Sequence, residues 1–236
     1  IKIPRWPFDK FSKTPRTIGT QMKSTGEVMA IGRTFEEALN KALRSLEIRI
    51  PKDMDPDDHL FPPTDLRIFA LLEALRRGRA VEELHSVTKI NVWFLRRLEA
   101  MVSIERRIAS EPLAGPLLLE AKRAGFSDSQ MHQLMARAKA KTDGGHSPAL
   151  SDHEGEMSIR NLRKSFGILP TYKIVDSCAG EFEAITPYYY STYETENEAR
   201  PEKARKIVII GSGPIRIGQG IEFDYCCSHA AFALRE

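Results

Sequence analysis

Apolar residues recur at helical spacing through the middle of the chain, while short unbroken apolar runs mark its two ends. Residues 28–31 (VMAI) form one such run after a glycine at Gly26, the pattern of a strand leaving a turn. Thr34 and Glu37 then stand as T-x-x-E, a capping box, ahead of Phe35, Ala38, Leu39, Ala42, Leu43 and Leu46 on one helical face. Residues 50–63 hold four prolines and four aspartates in fourteen positions, too many breakers for a regular element, and read as a domain linker. Beyond it, Leu66, Phe69, Ala70, Leu72, Ala74 and Leu75 predict a helix capped by Thr64 and stopped near Gly78. A short helix is expected over 81–87. Asn91 precedes the strongest helical pattern, with Phe94, Leu95, Leu98, Met101, Val102, Ile104 and Ile108 inward and arginines largely outward.

Pro116 opens a further helix ending at Gly125, and Ser127 caps another that runs through Met131, Leu134 and Met135. Short helices joined by short loops imply a compact bundle. Residues 141–156 carry almost no apolar side chains and read as a loop, followed by a helical turn over 159–166 and a short strand over 172–175. The aromatic run Tyr188, Tyr189 and Tyr190 precedes a charged second linker, 194–206, and then residues 207–210 (IVII) read as a strand of buried, parallel-sheet type. The fold class expected is therefore mainly α, a helical bundle-like domain between α/β pieces. The first residue is not methionine, and the last two lie in an apolar helical pattern without a stop signal, so both ends look cut.

Composition narrows the class without naming a function. With 42% hydrophobic and 28% charged residues in 236, the chain can bury a substantial core. Thirty-five basic against 32 acidic side chains leave a net charge of +3, too balanced to supply a general field for nucleic acid or membrane. No apolar run approaches membrane-spanning length, and a cytoplasmic protein is expected. Cys178, Cys226 and Cys227 do not suggest disulfides. His59, His85, His132, His146, His153 and His229 lack companions at zinc spacing, so no metal is expected. Arg76, Arg77, Arg79, Arg96 and Arg97 are interleaved with Glu73, Glu82, Glu83 and Glu99, a solvated face rather than a DNA-binding one. Trp93 and Phe94 at a helix start are read as core packing, with an interface anchor as the other reading.

Residues 205–236 hold the one arrangement with nucleotide-fold grammar: an apolar strand, a glycine-rich turn at Gly211, Gly213 and Gly218, and a helix. The dinucleotide fingerprint fails, since Arg216 occupies its last glycine position. Read locally, this is either a structural turn or an anion-attracting one. Glu222 by itself reads as a first-turn glutamate favoured by the helix dipole. Glu27 reads as an exposed carboxylate in a turn, and Lys23 as a surface lysine or a phosphate contact.

The string GSGPIRIGQGIEFDY, residues 211–225, resembles the opening of a synthetase half in the carbamoyl phosphate synthetase large-chain family. QMKSTGEVMAIGR with FEEALNKALRSLE resembles the end of that family's first, carboxyphosphate-forming ATP-grasp domain. The middle is similar through PTDLRIFALLEALRRG, TKINVWFLRRLEAM, LLLEAKRAGFSDSQM and IRNLRKSFGILPTYKIVDSCAGEF, so the resemblance covers most of the chain. It implies three parts: residues 1–49 ending the first ATP-grasp domain, 50–204 forming a helical oligomerization domain, and 205–236 starting a second synthetase domain with a Rossmann-like pre-ATP-grasp subdomain. It further implies that Glu27, Gly220 and Glu222 line a carbamate tunnel, and that no catalytic residue or cofactor belongs to this segment. ATP and magnesium or manganese would serve the full-length ligase, which pairs with a glutaminase small subunit while the helical part self-associates. The rival expectation is an autonomous helical interaction module without an enzymatic role.

Overall fold

A computed structural model describes the chain apart from residues 12, 52, 143–150, 183–187, 211–224 and 236. Strands β1 (Lys2–Arg5) and β2 (Gly26–Met29) form an antiparallel ribbon. Alternation puts the cross-strand pair Ile3 and Val28 on the inner face, where Val28 is buried, and Ile1 closes the ribbon by donating from its ammonium to the Ala30 carbonyl at 2.8 Å. Helix α1 (Phe35–Ser45) follows. Thr34 caps it, its hydroxyl accepting from the Glu37 amide at 3.1 Å, but the reciprocal half of the box does not form on the cap itself. Glu37 is buried and accepts instead from the Arg33 amide and from Lys41, each at 2.7 Å. A buried carboxylate with two such donors is a satisfied one.

Residues 50–63 are more ordered than their breakers imply. Pro56 and the acids after it start a one-turn helix α2 (Asp57–Leu60), positions that favour proline and negative charge, and both Met54 and Leu60 enter the core. Thr64 does not sit at the helix boundary: its hydroxyl takes the Leu66 amide at 3.2 Å, and α3 (Arg67–Arg76) starts a residue later. Helices α4 (Val81–Thr88) and α5 (Val92–Ser110) complete this half, with Asn91 capping α5 through the Trp93 amide at 2.8 Å. One core runs from Val28 and Leu39 through Leu72 and Leu84 to Leu95, Leu98, Met101 and Val102.

A second core begins farther along α5 at Ile108 and takes in Leu118 of α6 (Gly115–Arg123), Met131 of α7 (Asp128–Thr142) and Ile159 of α8 (Asp152–Ser165). Helix α6 ends in a Schellman motif: the Gly125 amide donates to Lys122 and the Phe126 amide to Ala121, each at 3.0 Å, with Gly125 at φ +84°. The same pair of hydrogen bonds closes α3 at Gly78 and α8 at Gly167. Ser127 exchanges hydrogen bonds with Gln130: its hydroxyl accepts from the Gln130 amide at 3.0 Å and its own amide donates to the Gln130 side-chain oxygen at 2.9 Å, which fixes the start of α7.

The expected loop over 141–156 is shorter than its composition suggests, because Ser151 and Glu154 form a full capping box and α8 is helical from Asp152 onward. Only Gly155, Ile159 and Arg163 of α8 are buried, so its apolar stripe is too thin to read from periodicity. Gly155 is there for closeness to α7: a Cβ on it would lie 2.2 Å from the His132 ring.

Strands β3 (Thr171–Val175) and β4 (Tyr188–Thr192) form a second antiparallel ribbon, tied to α1 by Lys41, whose ammonium donates to the Ser191 carbonyl at 2.6 Å. The buried strand expected at 207–210 is not formed: Val208 and Ile210 are 83% and 92% exposed, and no strand lies beside them among the described residues. A parallel strand gets its hydrogen bonds and its burial from neighbours, so an apolar run alone does not make one. The short helix α9 (Cys227–Ala233) buries none of its residues. The three cysteines are free. The described residues thus make a mainly α structure with two small ribbons.

Candidate functional site

Glu27 lies on the outer face of the first ribbon, opposite Pro4, and pairs diagonally with Lys2 at 2.6 Å. Both side chains are well exposed, so the pair contributes little to stability, about 0–1 kcal/mol. Gly211, Gly213, Gly218, Gly220 and Glu222 lie outside the described residues. Lys23 donates to the carbonyls of Pro15 at 3.0 Å and Thr17 at 2.7 Å, a structural clasp on the loop before β2.

Arg76, Arg77, Arg79, Arg96 and Arg97 each have an acidic partner. Arg76 holds Glu105 with two bonds at 2.6 and 2.8 Å, Arg77 takes Glu73 at 3.1 Å, and Arg79 pairs with Asp57 and Glu83. Arg96 pairs with Glu82 and Glu99, and Arg97 with Glu36 at 3.4 Å.

Trp93 and Phe94 are 49% and 45% exposed, which overturns their reading as core residues. The inward face of α5 begins one residue later, at Leu95. Together with Phe35 from the first turn of α1 they form a cluster of edge-on and tilted rings, with centroids 5.0 to 5.6 Å apart. The Arg97 guanidinium lies 5.1 Å from the Trp93 ring centroid. Lone exposed aromatics are ordinary, but three in contact beside an arginine have the composition of a binding hot spot. Phe35 was read from sequence only as the first residue of a buried stripe, and nothing local marks it as the third member.

A buried charge cluster, which no sequence spacing marks, holds α6, α7 and α8 together. Asp128 accepts from Lys122 at 2.9 Å and from Arg163 at 2.8 Å. All three residues are at most 8% exposed, and the Tyr193 ring lies 4.9 Å from the Lys122 ammonium and 5.8 Å from the Arg163 guanidinium. Burial pushes the Asp128 carboxyl up, but bonds from Arg163 and Lys122 outweigh it and hold it below the usual carboxylate range. For Lys122 burial wins: one carboxylate does not offset desolvation plus the repulsion of Arg163 and Arg44, and its pKa falls. The opposite balance at the two ends of one bond follows from two cations sharing one anion.

No helix among the described residues is long and apolar enough to cross a membrane, and no group of three potential metal ligands occurs among them.

These features define a mainly α domain of paired helices around two adjoining cores. Residues 27–146 match the family model of the carbamoyl-phosphate synthetase large chain, oligomerisation domain, and residues 203–236 that of the carbamoyl phosphate synthase preATP-grasp domain. The chain belongs to the carbamoyl phosphate synthetase large-chain family. It is 52% identical over 239 aligned positions to the carbamoyl phosphate synthase large chain of Methanothermobacter thermautotrophicus, covering 100% of this chain and 21% of that protein. The large chains of Methanothrix thermoacetophila and Thermomicrobium roseum are each 48% identical, over 100% and 99% of this chain. The chain therefore spans about a fifth of the length of these relatives, 21% in each case.

Proposed function

We propose that this chain is a segment of the large subunit of an ATP-dependent ligase that makes carbamoyl phosphate from bicarbonate, ATP and glutamine-derived ammonia for arginine and pyrimidine biosynthesis. Its own task is to self-associate and to join two synthetase halves. In this reading residues 1–49 end the first ATP-grasp domain, 50–204 are the oligomerization domain and 205–236 open the second synthetase domain. ATP and magnesium are bound elsewhere in the whole cytoplasmic protein, which pairs with a glutaminase small subunit.

The observation that carries the self-association is the exposed pair Trp93 and Phe94 resting on half-buried Phe35, all inside the stretch matched by an oligomerisation-domain family. A second copy of this chain is the occupant that fits: aromatic anchors beside an arginine commonly meet their like at self-complementary interfaces. Glu27 contributes with Gly220 and Glu222 to the wall of a carbamate passage, where enclosure would protect a reactive intermediate from water.

Sedimentation velocity across concentration tests the association. Trp93→Ala should weaken it by about 2 kcal/mol or more, about thirtyfold in Kd. A chain monomeric at every concentration, or association indifferent to both Trp93→Ala and Phe94→Ala, would refute the assignment. In the whole enzyme, Glu27→Ala should reduce carbamoyl phosphate formation more than the partial ATP-cleaving reactions. Equal loss of all of them would point to misfolding and remove Glu27 from the passage.

A further inference from the structure

Where α1, α3 and α7 meet, between the two cores, lies a cavity of about 650 Å³, a size that suits a small-molecule site. Its lining includes the apolar side chains of Leu43, Ile48, Ile50 and Leu72. The rest is largely polar. Gln130, Gln133 and Arg137 border it from α7 at spacings of three and four, which place them on one helical face, and Arg44 borders it from α1.

The charges around this cavity are unequally satisfied. Glu73 and Glu105 are both paired with Arg76, and Glu47 has an interaction of its own. Arg44 and Arg137, by contrast, have no carboxylate partner among the described residues. Arg44 donates from Nη1 to the Gly125 carbonyl and to the Gln130 side-chain oxygen, while its Nε and Nη2 have no protein acceptor there and are not sealed from solvent. Lys122 and Arg163 outnumber Asp128 by one charge, and Lys122 is within electrostatic reach of Arg44, so Arg44 finds no counter-charge there. Burial also pushes the Arg44 pKa down, the mark of a cation short of anionic company.

We propose that this cavity binds a small organic anion that carries a carboxylate or phosphate next to an apolar group. The oxyanion is held by Arg44 and Arg137, whose guanidinium forks match either kind of oxygen pair, and by the Gln133 amide. The apolar part lies against Ile48, Ile50 and Leu72.

Isothermal titration calorimetry on the full 236-residue chain tests this with phenylacetate and phenyl phosphate at constant ionic strength. Sodium chloride and benzyl alcohol serve as the charge-only and apolar-only references. The expected result is saturable one-to-one binding of at least one anionic probe and of neither reference, and the tighter probe identifies the oxyanion. Arg44→Gln and Arg137→Gln should each weaken that binding about tenfold, the loss of one charged hydrogen-bonding partner. Because Arg44 also holds the Gly125 carbonyl, the exposed Arg137 decides the matter if Arg44→Gln fails to fold. Absence of saturable binding by both anionic probes overturns the proposal, as does full affinity retained in a folded Arg137→Gln chain.

Discussion

Replacing Asp128 with alanine leaves Lys122 and Arg163, 7% and 8% exposed, without the carboxylate they share. Stranding buried charge by removing one partner costs about 3–5 kcal/mol. Losing an acid from the first turn of α7 adds about 0.3–1 kcal/mol. Two effects soften this: the Tyr193 ring still faces both cations, and Lys122, already depressed in pKa, can shed its proton. The total remains about 3–5 kcal/mol, a large part of the ~5–15 kcal/mol that holds a domain folded. Lys122→Met should behave differently, since it removes the surplus cation, keeps the apolar stem and leaves the Asp128–Arg163 bond intact. Its cost should be about 1 kcal/mol or less. In urea unfolding followed by circular dichroism at neutral pH, with a slope of about 2 kcal/mol/M, Asp128→Ala should lower the midpoint by about 1.5–2.5 M and Lys122→Met by under about 0.5 M. Equal damage from the two substitutions, or a near-silent Asp128→Ala, would refute the picture of one anion serving two cations.

The same cluster sets a pH dependence. The folded Asp128 pKa lies below its unfolded value, so its contribution is fully present above about pH 4 and is lost as the pH falls through the lower, folded value; acid titration of Asp128→Asn should lack that component. Gly125→Ala should cost about 2 kcal/mol or more by thermal or urea unfolding, because a Cβ there meets the Glu37 backbone at 2.7–2.8 Å and φ is +84°. Gly155→Ala should cost about 1–3 kcal/mol, and most of that should vanish in a His132→Ala background; an additive double-mutant cycle would mean the ring is not the obstacle.

Local chemistry made much of the helical fold legible. Thr34, Asn91 and Ser127 act as caps where their side chains suggest, and Gly78 and Gly125 end helices because a left-handed residue is needed to satisfy the last carbonyls. The failures share a cause, which is that burial depends on partners far along the chain. Trp93 and Phe94 look like core residues until the face of α5 that meets α3 and α4 is known. Residues 207–210 look like a buried strand, but the described residues offer no neighbouring strand to pair with them. Helix α8 hides because its inward face is a glycine, an isoleucine and an arginine, and that arginine's partner stands 35 residues earlier. Of the candidate site, Glu27 reads locally as a turn carboxylate but lies within strand β2, on the ribbon's outer face, because the pairing with β1 extends back to Gly26. The Asp128 cluster had no signature in spacing, since its members come from three separate helices.

Helix α5 is 19 residues long, about 28 Å, and it supplies Leu95 to Val102 to one core and Ile108 to the other. Neither core can therefore dissolve while the other keeps its full complement of walls. Amide protons in the middle of α5 should exchange with solvent only through global opening, and a weakness introduced at Leu118 should be felt as faster exchange at Leu98. The helix makes the pair of cores behave as one melting unit.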